Sequence, residues 1–481
     1  MGVGQFARRW LPAILLGITA LAVWNEAERR DTDVVSTAEV VYERDLQTPI
    51  LAARRIPRTL QAPVADANIA PVLRAMINDS PSTTCLAVRV GDRVLTPSAR
   101  IDQGLVPASN QKILTTYAAY LILGSDFHFT TSVVADRDPV DGVVAGNLYF
   151  VGDGDPFLST ENWWTQYETN DARFHTRLED LADRIAEAGI VEVTGTVVGD
   201  ESLFDTERQG LWAERLINAK QSGPLSALTV NEGFNDWPEL YVSSRQRSAT
   251  DDPAVHSASV LIQLLGERGI TVTEPPASGV APANAVDVTA IDSPPLVDLL
   301  THINSYSSNM GAELLLKRLG VAARGEGSTA SGATALLDAL AADGIPIDGI
   351  RIDDGSGLAE TNLLTCQAIL AVLTNAGPDS DFARTLAVAG ERGTLLERMV
   401  ETPAAGSVFA KTGTLNDATA LSGYAQSLTD ADIDLLFAYI ANEQFVISNE
   451  DVLALQDSFA TSLTDYPGSP SVDALSPLDP E

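Results

Sequence analysis

Lysine is nearly missing. The 481-residue chain has four, against 27 arginines, and its 31 basic residues face 65 acidic ones, a formal charge of −34. A nucleic-acid surface needs excess Lys and Arg to displace counterions, so this balance argues against one. It argues equally against general adhesion to anionic membranes or wall polymers, while leaving room for a basic pocket inside an acidic shell. The acidity itself is read as solubility. Histidine is as scarce: His128, His175, His256 and His302 are scattered without ligand spacing, so they suggest no zinc site. Counting leaves a Ser-His-Asp triad open, yet none of the four accompanies a G-x-S-x-G elbow. Two cysteines, Cys85 and Cys366, are too few for a disulfide-rich scaffold. Asp153 and Asp155 hint at calcium, but Pro156 follows at once and no further ligand run does, so a turn is expected. No metal or cofactor is implied. Trp163 and Trp164 read as core or a domain contact rather than a sugar platform.

Apolar residues make up 45% of the chain and charged ones 20%, which describes a globular protein of two or three domains. One long apolar run stands out, Trp10 to Trp24, preceded by Arg8 and Arg9. It reads as an export segment. It is short for a spanning helix, and Ala20-Leu21-Ala22 offers a cleavage site inside the run. Signal peptide and uncleaved anchor both fit residues 1–30; the anchor is favoured, with the body outside the membrane. The polar stretch that follows, 31–64, reads as a linker. In an exported chain the Cys85 and Cys366 pair is expected to form one disulfide, with two buried thiols as the alternative.

The folded part opens on a hairpin, Thr84–Val90 and Arg93–Thr96, turning at Gly91-Asp92. A helix begins near Pro107, with Ile113, Leu114, Tyr117, Ala118 and Leu121 on its apolar face and Gly124 as its stop. From 128 to 285 short strands alternate with turns, interrupted by helices at Thr176–Ala188 and Ala254–Arg268. This region reads as one or two inserted, mainly-β domains. Helical pattern returns over Leu296–Leu319 and Ser331–Ala342. Three strands, Ser407–Gly413, Ala418–Ser427 and Ile433–Ala441, and a helix at Asn449–Leu463 close the fold. Two early strands and three late ones predict an antiparallel sheet flanked by helices, an α+β domain split into 65–127 and 286–465. The tail, 466–481, is rich in Pro, Ser and Asp and is expected to be disordered.

Two of the four lysines sit in short motifs. Lys112 closes Ser109-Asn110-Gln111-Lys112, Lys411 opens Lys411-Thr412-Gly413-Thr414, and Ser307-Ser308-Asn309 lies between them. Serine is a poor nucleophile until a base takes its proton. Residues i and i+3 share a helix face, so Ser109 and Lys112 can bring hydroxyl and amine together. The amine is a base only when neutral; burial and the charge of Lys411 would lower its pKa. Ser307 would relay a proton to the leaving group, and Asn309 would hold a substrate amide. Lys411 and Thr412, on an exposed strand edge, would meet an anionic substrate terminus, with Gly413 letting a backbone pass close. The amides of Ser109 and Thr414 would form an oxyanion hole. Each motif alone is weak. A solvated helix-start Ser and Lys beside an unrelated turn is the competing reading. The ordered set S-x-x-K, S-x-N, K-T-G argues against it.

With these motifs the chain resembles the D-alanyl-D-alanine carboxypeptidase/endopeptidase family of penicillin-binding proteins. The 195 positions between Lys112 and Ser307 leave room for the insertions known in that family. Further similar segments are Gly152–Pro156, Gly199–Asp205, Ser226–Glu232, Asp354-Gly355-Ser356-Gly357-Leu358, Val388–Gly390 and Lys411–Tyr424, so the likeness spans about 65 to 465. It implies a penicillin-binding/β-lactamase-like transpeptidase fold and cleavage of peptidoglycan stem peptides through an acyl-enzyme on Ser109. It also implies acylation by β-lactams. Two departures stand out. Ala359 and Glu360 follow Leu358 where the family usually has a serine and a basic residue. Ser305 and Tyr306 precede S-x-N where many members have a basic residue. The alternatives are a β-lactamase or esterase of the same fold, or a catalytically idle wall-binding scaffold.

Overall fold

A computed structural model describes residues 16–26, 57–96, 100–167, 172–235, 247–430, 433–444 and 450–468. Its centre is a six-stranded sheet. In spatial order the strands are Ala387–Val388, Val408–Leu415, Ala418–Gln426, Asp434–Asn442, Thr83–Val90 and Arg93–Val94, and every neighbouring pair is antiparallel. The late strands are joined by short turns, and the early strand Thr83–Val90 closes against the last of them, from Thr83 opposite Asn442 to Val90 opposite Leu435.

Strand periodicity of two sends alternate side chains into two cores. Cys85, Ala87, Leu436, Ala438 and Ile440 pack under one helical layer. It contains Gln111–Leu123, Leu296–Tyr306, Asn309–Arg324, Thr329–Ala342 and Cys366–Ala376. Leu86, Val88, Phe437 and Tyr439 face the other way, against Leu73 and Met76 of Pro57–Asp79 and Phe459 and Leu463 of Glu450–Thr464. Cys85 and Cys366 are joined by a disulfide with Cα atoms 6.1 Å apart. It ties a sheet strand to the start of a helix 281 positions later.

The insertion has its own sheet: Ala277–Ser278, Val197–Asp200, Leu148–Val151, Thr130–Ala135 and Val286–Asp292. Helices Leu178–Glu187 and Pro253–Glu267 connect its parallel strand pairs and supply Leu181, Ile185, Leu261 and Leu265 to a separate core. Asp155 turns the chain here, its carboxylate accepting from Phe157 N and the Thr176 hydroxyl. Trp163 and Trp164 are buried. Residues 64–469 nonetheless cluster as one compact unit.

Several boundaries differ from the sequence reading. Val286–Asp292 pairs with Thr130–Ala135, which carries the inserted sheet past residue 285. A helix starts at Pro57, inside the stretch read as linker, and runs through Pro71. Tyr466, placed in the disordered tail, is buried and its hydroxyl sits between Asp66 (2.6 Å) and Arg93 (2.9 Å). The pattern from Leu296 to Leu319 is two helices, not one: Ser307 turns left-handed at φ 64°, and Ser308 caps the second helix by accepting from Gly311 N. Of the N-terminal segment the structure describes a helix over 16–26; residues 1–15 and 27–56 lie outside the described residues, as do 469–481. Among the described residues no helix is long and apolar enough to cross a membrane.

Candidate active site

Ser109 lies in a 3₁₀ turn, Ala108–Asn110, that runs into Gln111–Leu123. The sheet fixes this turn from below. Asn110 donates to Ser422 Oγ at 2.7 Å, and Asn442 holds both the N–H and the carbonyl of Val106 at 2.8 and 2.9 Å. A Cβ on Gly413 would stand 2.7 Å from the Pro107 carbonyl oxygen. The close backbone approach expected at Gly413 therefore includes the protein's own nucleophile turn, and only glycine permits it.

Lys112 is fully buried, and its amine touches three oxygens: Ser109 Oγ at 2.9 Å, Asn309 Oδ1 at 2.8 Å and the Ser356 carbonyl at 2.7 Å. Two of these are carbonyl oxygens, which can only accept. A neutral amine has two N–H groups to give them and one lone pair left. The one partner able to donate to that lone pair is the Ser109 hydroxyl. The Asn309 amide is oriented by its other end, where Nδ2 donates to the Gln221 carbonyl at 2.7 Å.

Burial brings the Lys112 amine down to about 7, against the pull of Asp354 and Glu313, which favour its charged form. Lys411 is likewise held well below the usual lysine range, first by burial and then by the nearby Lys112 amine; burial is the leading cause for both amines. Lys411 donates to Ser307 Oγ at 2.8 Å and to the Thr412 carbonyl at 3.0 Å. Its amine is thus buried against Ser307 instead of reaching into solvent. Thr412 is half-buried and bonds Thr394 across 2.8 Å, and Thr414 is exposed.

The edge strand Ala387–Val388 pairs only with Phe409 and Ala410. Among the described residues that side of the strand carries no further ladder from Lys411 to Leu415, so its backbone can take an added strand. All three motifs therefore converge: Ser109, Lys112, Ser307, Asn309 and Lys411 are linked through two lysine amines, with Thr412, Gly413 and Thr414 alongside. Among the described residues no cluster of His, Cys, Asp or Glu is arranged to hold a metal.

The two departures have structural partners. Glu360 forms an ion pair with Arg215 from the insertion, and Ala359 is buried. Ser305 donates to the Thr385 carbonyl at 2.9 Å, while the Tyr306 ring lies 5.1 Å from His302. Residues the sequence reading gave no role also meet here. Glu313, Asp354, Gln221 and Asn110 all hold the groups that hold Lys112 or Ser109.

Comparison with known proteins gives the same picture at the level of the whole chain. The model of the D-Ala-D-Ala carboxypeptidase 3 (S13) family matches residues 90–240 and 236–466. A D-alanyl-D-alanine carboxypeptidase of Actinomadura is 29% identical over 440 residues, covering 76% of this chain and 78% of that protein. A carboxypeptidase of Mycobacterium tuberculosis is 31% identical over 413 residues, covering 80% and 84%. The crystal structure of penicillin binding protein 4 from Haemophilus influenzae superposes with a TM-score of 0.66 at 20% identity. It covers 82% of this chain and 98% of that one, a likeness of fold.

Proposed function

Because the chain belongs to the D-Ala-D-Ala carboxypeptidase 3 (S13) family, we propose that Ser109 attacks the carbonyl between two D-alanines of a peptidoglycan stem peptide, releasing the last one. The protein is a serine peptidase, a D-Ala-D-Ala carboxypeptidase with endopeptidase cleavage of cross-bridges as its companion activity. The observation that carries the mechanism is the environment of Lys112: two carbonyl acceptors and one hydroxyl. Neutral Lys112 takes the Ser109 proton as Oγ bonds to the carbonyl carbon. The amides of Ser109 and Thr414 face the oxygen that becomes negative. The proton taken by Lys112 is relayed through the Ser307 hydroxyl, itself bonded to Lys411, to the departing amine as the C–N bond breaks, which leaves Lys112 neutral and Ser307 a hydroxyl. Neutral Lys112 then takes a proton from water as its oxygen attacks the ester, and returns it to Ser109 Oγ as the ester bond breaks and the shortened peptide leaves. The substrate lies along the open edge from Lys411 to Leu415, its terminal carboxylate toward Lys411, Thr412 and Thr414.

β-Lactams would enter the same site and acylate Ser109. The activity is placed outside the membrane, with the segment around Trp10–Trp24 as anchor; release of the intact chain from a membrane fraction by detergent but not by salt tests this. The enzyme test is incubation of the body, from about residue 57 of the described chain, with a fluorescent penicillin beside Ser109→Ala and Lys112→Ala. A stable label lost in both variants is the expected result. No label on folded wild-type protein refutes the mechanism and favours a scaffold. Label that turns over rapidly favours a β-lactamase.

A further inference from the structure

Lys112 is aimed by a group that none of these steps uses. The helix Asn309–Arg324 places Asn309 on the amine and, one turn later, buries Glu313 at 1% exposure. The two Glu313 oxygens accept from the amides of Gly355 (3.2 Å) and Ser356 (2.9 Å). The carbonyl of that same Ser356 accepts from Lys112 at 2.7 Å, and the carbonyl of Gly355 accepts from Thr115 at 2.8 Å. The loop is gripped a second time by Asp354, which accepts from Gly357 N (2.8 Å), Ala359 N (2.6 Å), Asn362 Nδ2 (2.6 Å) and Trp212 Nε1 (3.2 Å).

Holding two amides does not require a charge; a neutral side-chain oxygen accepts as well. A buried carboxylate is costly unless something compensates it. Among the described residues neither Glu313 nor Asp354 makes an ion pair with an arginine or a second lysine. The ionisable groups around Glu313 are Asp354 from the loop and Lys112 from the nucleophile helix, with Lys411 beyond Lys112; the Trp212 indole is neutral. Burial and the nearness of Asp354 push Glu313 up to about 8 against the donors it holds. Two acids thus stand behind one buried amine.

We infer that Glu313 is a positioning residue for the Ser109–Lys112 pair. Its carboxylate fixes the Gly355–Ser356 amides so that the Ser356 carbonyl takes one Lys112 N–H, and the amine's lone pair is left for Ser109. The inference rests on Lys112 being the base. With Glu313 loosened, the Ser356 carbonyl drifts and the amine is free to turn its lone pair away. A displacement of about 1 Å is enough to cost roughly a hundredfold in rate.

The test measures acylation by a fluorescent penicillin as a function of pH, with the number of labelled sites counted at completion. Glu313→Gln keeps the size, removes the charge and turns one of the two accepting oxygens into a donor. Its labelled fraction is expected to match wild type, its rate per site to fall roughly tenfold to a hundredfold, and its pH midpoint to move slightly down, because the fraction of negative charge that Glu313 carries through the rise, which favoured charged Lys112, is gone. Glu313→Asp keeps the charge with a shorter reach: the rate falls and the midpoint stays. A role confined to stability would lower the labelled fraction and leave rate per site and midpoint unchanged, which overturns the inference. Wild-type rate and midpoint in Glu313→Gln overturn it too. If that variant does not fold, wild-type rate in Glu313→Asp does so. Lys112→Ala separates the two claims. If it labels like wild type, the base assignment fails. If it is inert while Glu313→Gln behaves as wild type, only the role of Glu313 fails.

Discussion

The Asn309 side chain bridges Gln221 and Lys112: its Nδ2 donates to the Gln221 carbonyl at 2.7 Å and its Oδ1 accepts from the Lys112 amine at 2.8 Å. A backbone carbonyl of the insertion thereby decides which end of the amide meets the catalytic amine. Asn309→Asp replaces the donor with an acceptor facing that carbonyl and sets a negative charge beside Lys112. The charge favours the protonated amine. Acylation at neutral pH is expected to fall at least about tenfold, and its pH midpoint to rise. Penicillin labelling rates over pH check this; an unmoved midpoint would mean that Asn309 does not govern the Lys112 proton.

For the wild-type enzyme the sign follows from Lys112 itself. The amine is competent when neutral and sits at about 7. Acylation should therefore rise with pH, about tenfold per unit on the acid side of the midpoint, and level off above it. An amine with the ordinary lysine pKa would show the rise some three units higher. Stopped-flow acylation at constant ionic strength separates the two.

What the sequence made legible was the chemistry built from rare residue types. With so few lysines, Lys112 and Lys411 could be assigned by their neighbours, and the structure links them to Ser109, Ser307 and Asn309. What stayed hidden was whatever depends on long-range packing. Glu313 sits in an apolar run whose pattern alone assigns it no role, although it is one turn from Asn309 and buried. The break at Ser307 carries neither Gly nor Pro, so the two helices read as one. The stretch 31–64 read as a linker from its polarity, yet a helix starts at Pro57, and tertiary packing of Ile69, Leu73 and Met76 sustains it through Pro71. Gln221 acts through its backbone carbonyl, a contribution that no residue type encodes.

The Cys85–Cys366 bridge closes a loop of 281 positions between a central strand and a helix start. Cross-linking so distant a pair restricts the unfolded chain strongly, and its removal typically costs about 2–5 kcal/mol. Cys85→Ser with Cys366→Ser is expected to lower the unfolding free energy by that amount, and the denaturant midpoint with it, while leaving the labelling rate near wild type, since neither residue touches the Ser109–Lys112 pair. Denaturant melts and thiol titration of the unreduced, denatured wild-type chain check both halves. Two free thiols in that titration would remove the bridge from the account.

Gly357 is where the support loop meets the nucleophile turn. Its φ is +86°, and a Cβ there would lie 1.9 Å from the Ala108 carbonyl oxygen. Alanine would carry two costs, a left-handed conformation at about 1–2 kcal/mol and an overpacked contact at roughly 1–3 kcal/mol. Gly269 is the matched control: its φ is +76°, but nothing lies within 4 Å of the added Cβ. Gly269→Ala should show the conformational cost alone and keep full activity. Gly357→Ala should destabilise more, and, because Ala108 adjoins Ser109, it should also slow acylation per labelled site. Equal melting curves and equal labelling rates for the two variants would mean that the loop can retreat from Ala108, and that the Ser356 carbonyl is not held in place by this contact.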